Sequence, residues 1–157
     1  MTPIFSDAAY SVDSRFGTAR EHIVMAETIC GTPPLHTIAQ VEPVGPKKLF
    51  DILIIAPCTG NTLAKLACGI TDTPVTMAVK SHLRNARPVL ITVSTNDALS
   101  ASAKNIGTLL NIKNICFVPF RQDDFIKKPT SAVADFTKLP EAAAAALSGR
   151  QLQPILS

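Results

Sequence analysis

The chain has no tryptophan and a single tyrosine, 5% of its residues are aromatic, and only 17% of its 157 residues are charged. Nucleic-acid binding, which stacks bases on aromatic rings along a basic surface, has little to work with here. The basic residues are scattered and the net charge is only +3. No apolar run approaches the ~20 residues that span a bilayer. Residues 1–17 hold Asp7, Asp13 and Arg15 and lack the apolar centre of a secretory leader. The expected location is therefore the cytoplasm. The four cysteines, Cys30, Cys58, Cys68 and Cys116, show neither Cys-x-x-Cys spacing nor a histidine at metal-ligand spacing. A zinc site is not expected, nor are disulfides in a reducing compartment. Gly-x-Gly-x-x-Gly, Walker, His-Glu-x-x-His and Gly-x-Ser-x-Gly patterns are all missing.

What is present is apolar: 46% of the residues are hydrophobic, enough for one domain over residues 1–157 with a real core and a tendency to hide surface in an oligomer. The pivotal stretch is residues 51–72, DILIIAPCTGNTLAKLACGITD. Its unalternated Ile52-Leu-Ile-Ile55 suits a strand covered on both faces in a parallel sheet, with Pro57 as the stop. A polar turn follows, and then a helix whose Leu63, Leu66, Ala67 and Ile70 form one stripe ending near Gly69. Ligands of open α/β sheets gather beyond the carboxyl ends of the strands, at helix N-termini. Residues 57–62 would lie there, with Gly60 allowing close approach and Thr59, Asn61 and Thr62 offering hydrogen bonds. An ordinary turn with Asn61 as helix cap is the alternative. Cys58 stands at the same helix start, where its pKa could be lowered, although His22, His36 and His82 are not tied to it as a base. Cys30, Cys68 and Cys116 read as core residues.

The same unit recurs. Residues 88–94, PVLITVS, form a second buried strand, followed by Ser94-Thr95-Asn96-Asp97 and a helix with Leu99, Ala103, Ile106 and Leu110 on one side. Parallel strands would bring both turns to one edge, where Asn96 and Asp97 either bind a ligand or cap the helix. Elsewhere, Thr18 and Glu21 form a capping box for a helix that buries Ala19, Ile23, Ala26 and Cys30 and ends at Gly31. A short strand is expected at 37–41, and Thr73-Pro74 starts a helix with Val75, Ala78, Val79 and His82 inside. His82 reads as a packed residue. A third buried strand lies at 115–119, and the polar loop 120–129 is long enough to be functional. A short extended piece near 132–133 precedes an alanine-rich helix that Gly149 closes, and residues 151–157 make a tail suited to docking on a neighbour. Asp13 and Arg15 are either a solvated pair or, for Arg15, a two-point grip on a substrate carboxylate.

Pro57-Cys-Thr-Gly-Asn-Thr62 with Ala64-Lys-Leu-Ala67 resembles the Pro-Ala-Ser-Ala-Asn-Thr segment of the flavoprotein family that includes phosphopantothenoylcysteine decarboxylases and prenyl-transferring flavin enzymes. The runs GITDTPVTMAVKSHLRNARPV, STNDALSASAKNIGTLLN, KNICFVPFRQDDFIKKPTS and QLQPIL, with Asp13-Ser-Arg-Phe-Gly17, look like one branch of that family. That branch supplies the second subunit of the sporulation enzyme that makes pyridine-2,6-dicarboxylate. The resemblance implies an α/β fold, a three-layer Rossmann/flavodoxin-like parallel sheet with helices on both faces. It also implies FMN held by Cys58, Thr59, Gly60, Asn61, Thr62, Ser94, Thr95 and Asn96, with Arg15 for the substrate. It further implies a partner subunit using NADP, a dihydropyridine dicarboxylate precursor, and a homo-oligomer of three chains or a multiple. A non-catalytic subunit that assembles or activates the partner is the alternative. The family's first strand and phosphate-binding turn have no counterpart here, so about 35–40 further N-terminal residues, one strand-plus-helix unit, are expected. The decarboxylases' histidine before the strand is also lacking, since that neighbourhood reads Val41-Glu-Pro-Val44, and their Pro-x-Met-Asn-x-x-Met segment survives only as Asn96. Decarboxylation is therefore not expected.

Overall fold

The computed structural model describes residues 1–156. Five strands form one open sheet: β1 (Leu53–Cys58), β2 (Val89–Thr95), β3 (Ile115–Phe117), β4 (Phe120–Arg121) and β5 (Ala132–Ala134). Seven helices accompany them: α1 (Asp7–Ser11), α2 (Ala19–Cys30), α3 (Ile38–Val41), α4 (Gly60–Ala67), α5 (Pro74–Leu83), α6 (Ala103–Leu110) and α7 (Leu139–Leu147). β2 is the axis. Its Val89–Val93 stretch is wholly buried, and β1 and β3 pair with it in parallel, Leu53 opposite Val89 and Val89 opposite Ile115. The expected parallel sheet is present as β1, β2 and β3, and two short antiparallel strands extend it. β5 runs antiparallel to the end of β2, Ser94 facing Val133 and Thr95 facing Ala132, and β4 pairs antiparallel with β5. The loop over residues 122–131 suffices to close the β4–β5 pair, whereas another parallel strand would need a crossover of a dozen or more residues.

β1 departs from its predicted full burial. Leu53, Ile55 and Cys58 are buried, but Ile54 is 39% exposed and Ala56 and Pro57 also face out. Among the described residues β1 hydrogen-bonds only to β2, so its run of isoleucines is an edge strand with one open side. Pro57 does not stop the strand, because an edge position and a bulge tolerate a missing N–H. The register slips between Ile55 and Cys58, and the buried Thr92 hydroxyl donates to the Ile55 carbonyl at 2.8 Å where the ladder is interrupted.

The expected helix starts hold where capping chemistry is explicit. Thr18 and Glu21 cap each other's backbone at α2, Gly31 closes that helix at φ 69°, and Thr73 with Pro74 opens α5. His82 is buried, with Nε2 3.1 Å from the Pro88 carbonyl, and burial lowers its pKa, as befits a packed residue. Two expectations fail. Residues 38–41 are helix, not strand, since Thr37 and Gln40 form a capping box that outweighs the β-branched content. After β2, helix begins only at Ala103, and its buried face is Asn105, Ile106 and Leu109, while Leu99 and Leu110 are exposed. Asp97 is the reason: its carbonyl accepts from the Ser100 and Ser102 N–H groups and holds 97–102 as turns. The tail lies on its own chain. Gln151 brackets Phe117 through both its amide atoms at 2.7 Å, and the Phe120 N–H donates to the Ile155 carbonyl; Ser157 falls outside the described residues.

Candidate functional site

The parallel register of β1 and β2, with Cys58 opposite Val93, delivers the two polar turns to the same edge of the sheet. They meet at Gly60. A β-carbon there would lie 2.8 Å from Asp97 Oδ1 and 2.9 Å from both Thr95 Oγ1 and Ser102 Oγ. Those three side chains form one hydrogen-bonded cluster: Thr95 donates to Asp97 Oδ1 at 2.5 Å and Ser102 donates to Asp97 Oδ2 at 2.9 Å. The bond from Thr95 in particular holds the Asp97 carboxyl below its usual range. The glycine thus admits a neighbouring carboxylate to the first turn of α4, where a negative charge is favoured by the helix dipole.

The cap reading of Asn61 does not survive. Thr59 is the N-cap of α4 and makes no side-chain cap bond, while Asn61 lies inside the helix with its side chain exposed. The first-turn N–H groups therefore lack a side-chain cap, and Thr59 and Asn61 are left free for a ligand beside them. Asn96 is exposed on the opposing turn. Its carbonyl accepts from the Thr130 hydroxyl at 2.7 Å, and its Oδ1 from the Ser131 hydroxyl at 3.4 Å. Asp97 and Ser102 fall in a visibly polar stretch. Thr130 and Ser131 carry no local signal, because they reach the site across the β4–β5 hairpin.

Two predicted residues behave otherwise. Cys58 is fully buried, and burial pushes its thiol up to about 12, so the expected lowering by the helix start is overturned by desolvation. Its side chain belongs to the core, leaving only its backbone at the turn. Arg15 sits exposed on a tight turn closed by Ser14 and Gly17, its guanidinium 4.7 Å above the Phe16 ring, and it forms no ion pair among the described residues. Asp13 is not its partner, since Asp13 Oδ1 accepts the Ala19 N–H at the start of α2. Of the remaining cysteines Cys116 is buried, Cys30 half-buried and Cys68 exposed, the last contrary to expectation because it falls just beyond the last turn of α4. Grooves of about 540 and 510 Å³ lie away from both turns, one along the outer face of α2 and one between residues 42–47 and α5.

The sequence pattern of the Flavoprotein family matches residues 7–146. The chain is 45% identical over 154 residues to the B subunit of dipicolinate synthase from Bacillus subtilis (strain 168), a match covering 98% of this chain and 77% of that protein. The crystal structure of the dipicolinate synthase B subunit from Bacillus halodurans C superposes with a TM-score of 0.91 at 43% identity, over 99% of this chain and 80% of that one. The FMN-dependent cysteine decarboxylase SpaF superposes with a TM-score of 0.60 at 25% identity, over 83% and 73% of the two chains.

Proposed function

Because the chain belongs to the flavoprotein family, we propose that it acts as the B subunit of dipicolinate synthase, in the cytoplasm of the mother cell of a spore former. It would work there with the enzyme's NADP-dependent partner subunit to turn a dihydropyridine dicarboxylate into the aromatic dicarboxylate, a step that removes one hydride and one proton. The likeness to the Bacillus subtilis protein over 98% of the chain carries this reading. The site supports FMN as cofactor, the ligand named for SpaF. The edge of a flavin ring presents donors and acceptors together, and exposed Asn61 and Asn96 offer both from one amide each. Thr59, the uncapped N–H groups of α4 and the backbone of Cys58, Ser94 and Thr95 complete the contacts. When bound, the flavin would supply a two-electron acceptor; the chain's own residues orient it and hold Asp97 ionised beside α4. Arg15 is the proposed contact for a substrate carboxylate.

One observation favours a non-catalytic role as the second reading. The titratable side chains at these turns are Cys58, which stays a thiol, and Asp97, which stays a carboxylate, so neither is poised to exchange a proton near neutral pH. Copurification with the NADP-dependent partner, followed by assay of the complex, separates the two readings. The first expects a flavin absorption spectrum and loss of both flavin and synthase activity in Asn61→Ala. A colourless complex that keeps full activity in Asn61→Ala establishes the second.

We also propose that the chain is a homo-oligomer, a trimer or a multiple of it, associating through α2. The outer face of that helix shows Val24, Met25 and Ile29 at 52%, 59% and 69% exposure, an apolar stripe of the kind that marks association sites.

A further inference from the structure

The groove of about 510 Å³ is lined by Glu42, Pro43, Pro46 and Lys47 on one side and by Met77, Lys80, Ser81 and Arg84 on the other. The second set falls at i, i+3, i+4 and i+7, one face of α5 and its C-cap. Both walls precede the strands they lead into, so the groove opens at the end of the sheet where β1 and β2 begin, opposite the two polar turns. Three cations face one carboxylate here, and none of the three is in an ion pair among the described residues. The groove thus concentrates two positive charges of a chain whose net charge is +3. Lys80 and Arg84 have an ordinary reason to stand at a helix C-terminus, where the dipole favours cations. Lys47 has no such reason, since it comes from a different element.

The walls are held to each other by a close backbone approach and one side-chain amide. A β-carbon on Gly45 would lie 2.7 Å from the Ser81 carbonyl oxygen, and Asn85 Nδ2 donates to the Gly45 carbonyl at 2.7 Å and to the Ser81 carbonyl at 3.4 Å. The groove is therefore a solvent-open concavity between two elements held together, with two prolines and a methionine among its lining and cations on both walls.

We propose that it binds a small planar dicarboxylate, with Lys47 taking one carboxylate and Lys80 and Arg84 the other, and the ring lying over Pro43, Pro46 and Met77. Pyridine-2,6-dicarboxylate, the product of the enzyme to which the relative contributes, is the representative of that class. The assignment of this compound rests on the function proposed above. The groove is a site separate from the flavin turns of the same chain.

The test is calorimetric titration of the full chain with pyridine-2,6-dicarboxylate in metal-free buffer at low salt, with pyridine-2-carboxylate and inorganic phosphate alongside. Saturable binding of the dicarboxylate is expected, tighter than either control and weakening as salt is raised. Lys47→Gln, Lys80→Gln and Arg84→Gln should each weaken it about fivefold, the size of one exposed charge contact, with Tm unchanged. Absence of saturable binding, equal binding by the triple variant, or phosphate binding as tightly as the dicarboxylate overturns the proposal. The complex with the NADP-dependent partner distinguishes the two readings. If wild type supports the synthase but shows no saturable binding of the dicarboxylate, or the triple variant binds it as tightly as wild type, the groove assignment fails and the function stands. If the groove binds as expected and no preparation supports synthase activity, the function fails and the site stands.

Discussion

Gly60→Ala is the substitution whose sign is most informative. At an ordinary first-turn position alanine stabilises a helix relative to glycine by up to about 1 kcal/mol, and the backbone of Gly60 is not in the left-handed region. Here the new methyl would sit 2.8–2.9 Å from three oxygens that are already bonded to one another at 2.5 and 2.9 Å. Short side chains tied in this way cannot swing aside without breaking their own hydrogen bonds. Overpacking of this kind costs about 1–3 kcal/mol, which leaves up to roughly 2 kcal/mol of net destabilisation after a helix gain of about 1 kcal/mol. For a chain of this size that lowers Tm by up to roughly 8 °C, at about 2–4 °C per kcal/mol. Thermal unfolding of Gly60→Ala, Asp97→Ala and the double variant measures it. The double variant should be more stable than the sum of the singles predicts by at least about 0.5 kcal/mol, because the carboxylate that meets the methyl is gone. A raised Tm in Gly60→Ala, or strict additivity with Asp97→Ala, refutes the contact between the two turns.

Three further outcomes are expected. Cys58, its thiol pushed up to about 12 by burial, should resist alkylation in the native protein while exposed Cys68 reacts, as peptide mass spectrometry after brief iodoacetamide treatment would show. Asp97 has a folded pKa below its usual 3.8; its contribution to stability is therefore complete above 3.8 and lost as pH falls through the window beneath it. Urea unfolding from about pH 5 to about pH 3 should accordingly show a smaller acid loss in Asp97→Asn than in wild type. Replacing Met25 and Ile29 together by glutamate should shift the chain to smaller species in light scattering without lowering Tm of the protomer, since both side chains are exposed within it.

Local chemistry made part of this fold legible. The helix starts at Thr18 and Thr73, the glycine stop at Gly31 and the strand at β2 follow from capping, positive φ and an unbroken apolar run, all of which act within a few residues. What failed was decided at a distance. Ile54 reads as interior because isoleucine in such a run usually is, yet burial depends on what stands on the other side of β1. Leu99 and Leu110 fit a helical stripe by spacing, and the stripe is displaced because Asp97 holds the chain in turns for six residues before helix begins. In the tail, Gln151 finds Phe117 across 34 positions, a pairing that nothing in either residue's neighbourhood announces.

At the candidate site the same division has a consequence for chemistry. The two turns were recognisable as strand-to-helix junctions, and their convergence followed from parallel pairing alone. The role of the glycine between them was not recognisable, because close approach at a glycine serves a ligand and a neighbouring side chain equally well. At Gly60 the neighbour is Asp97, which places a carboxylate against the start of α4 where an anionic ligand group would otherwise be favoured. A phosphate at that helix start would meet like charge at close range. The polar groups left open are the amide of Asn61, the Asn96 Nδ2 and the hydroxyl of Thr59, which suit a neutral, planar, hydrogen-bonding ring. Under the proposed flavin function, the carboxylate would select which part of the cofactor these turns hold: the ring, with the phosphate directed away from Asp97.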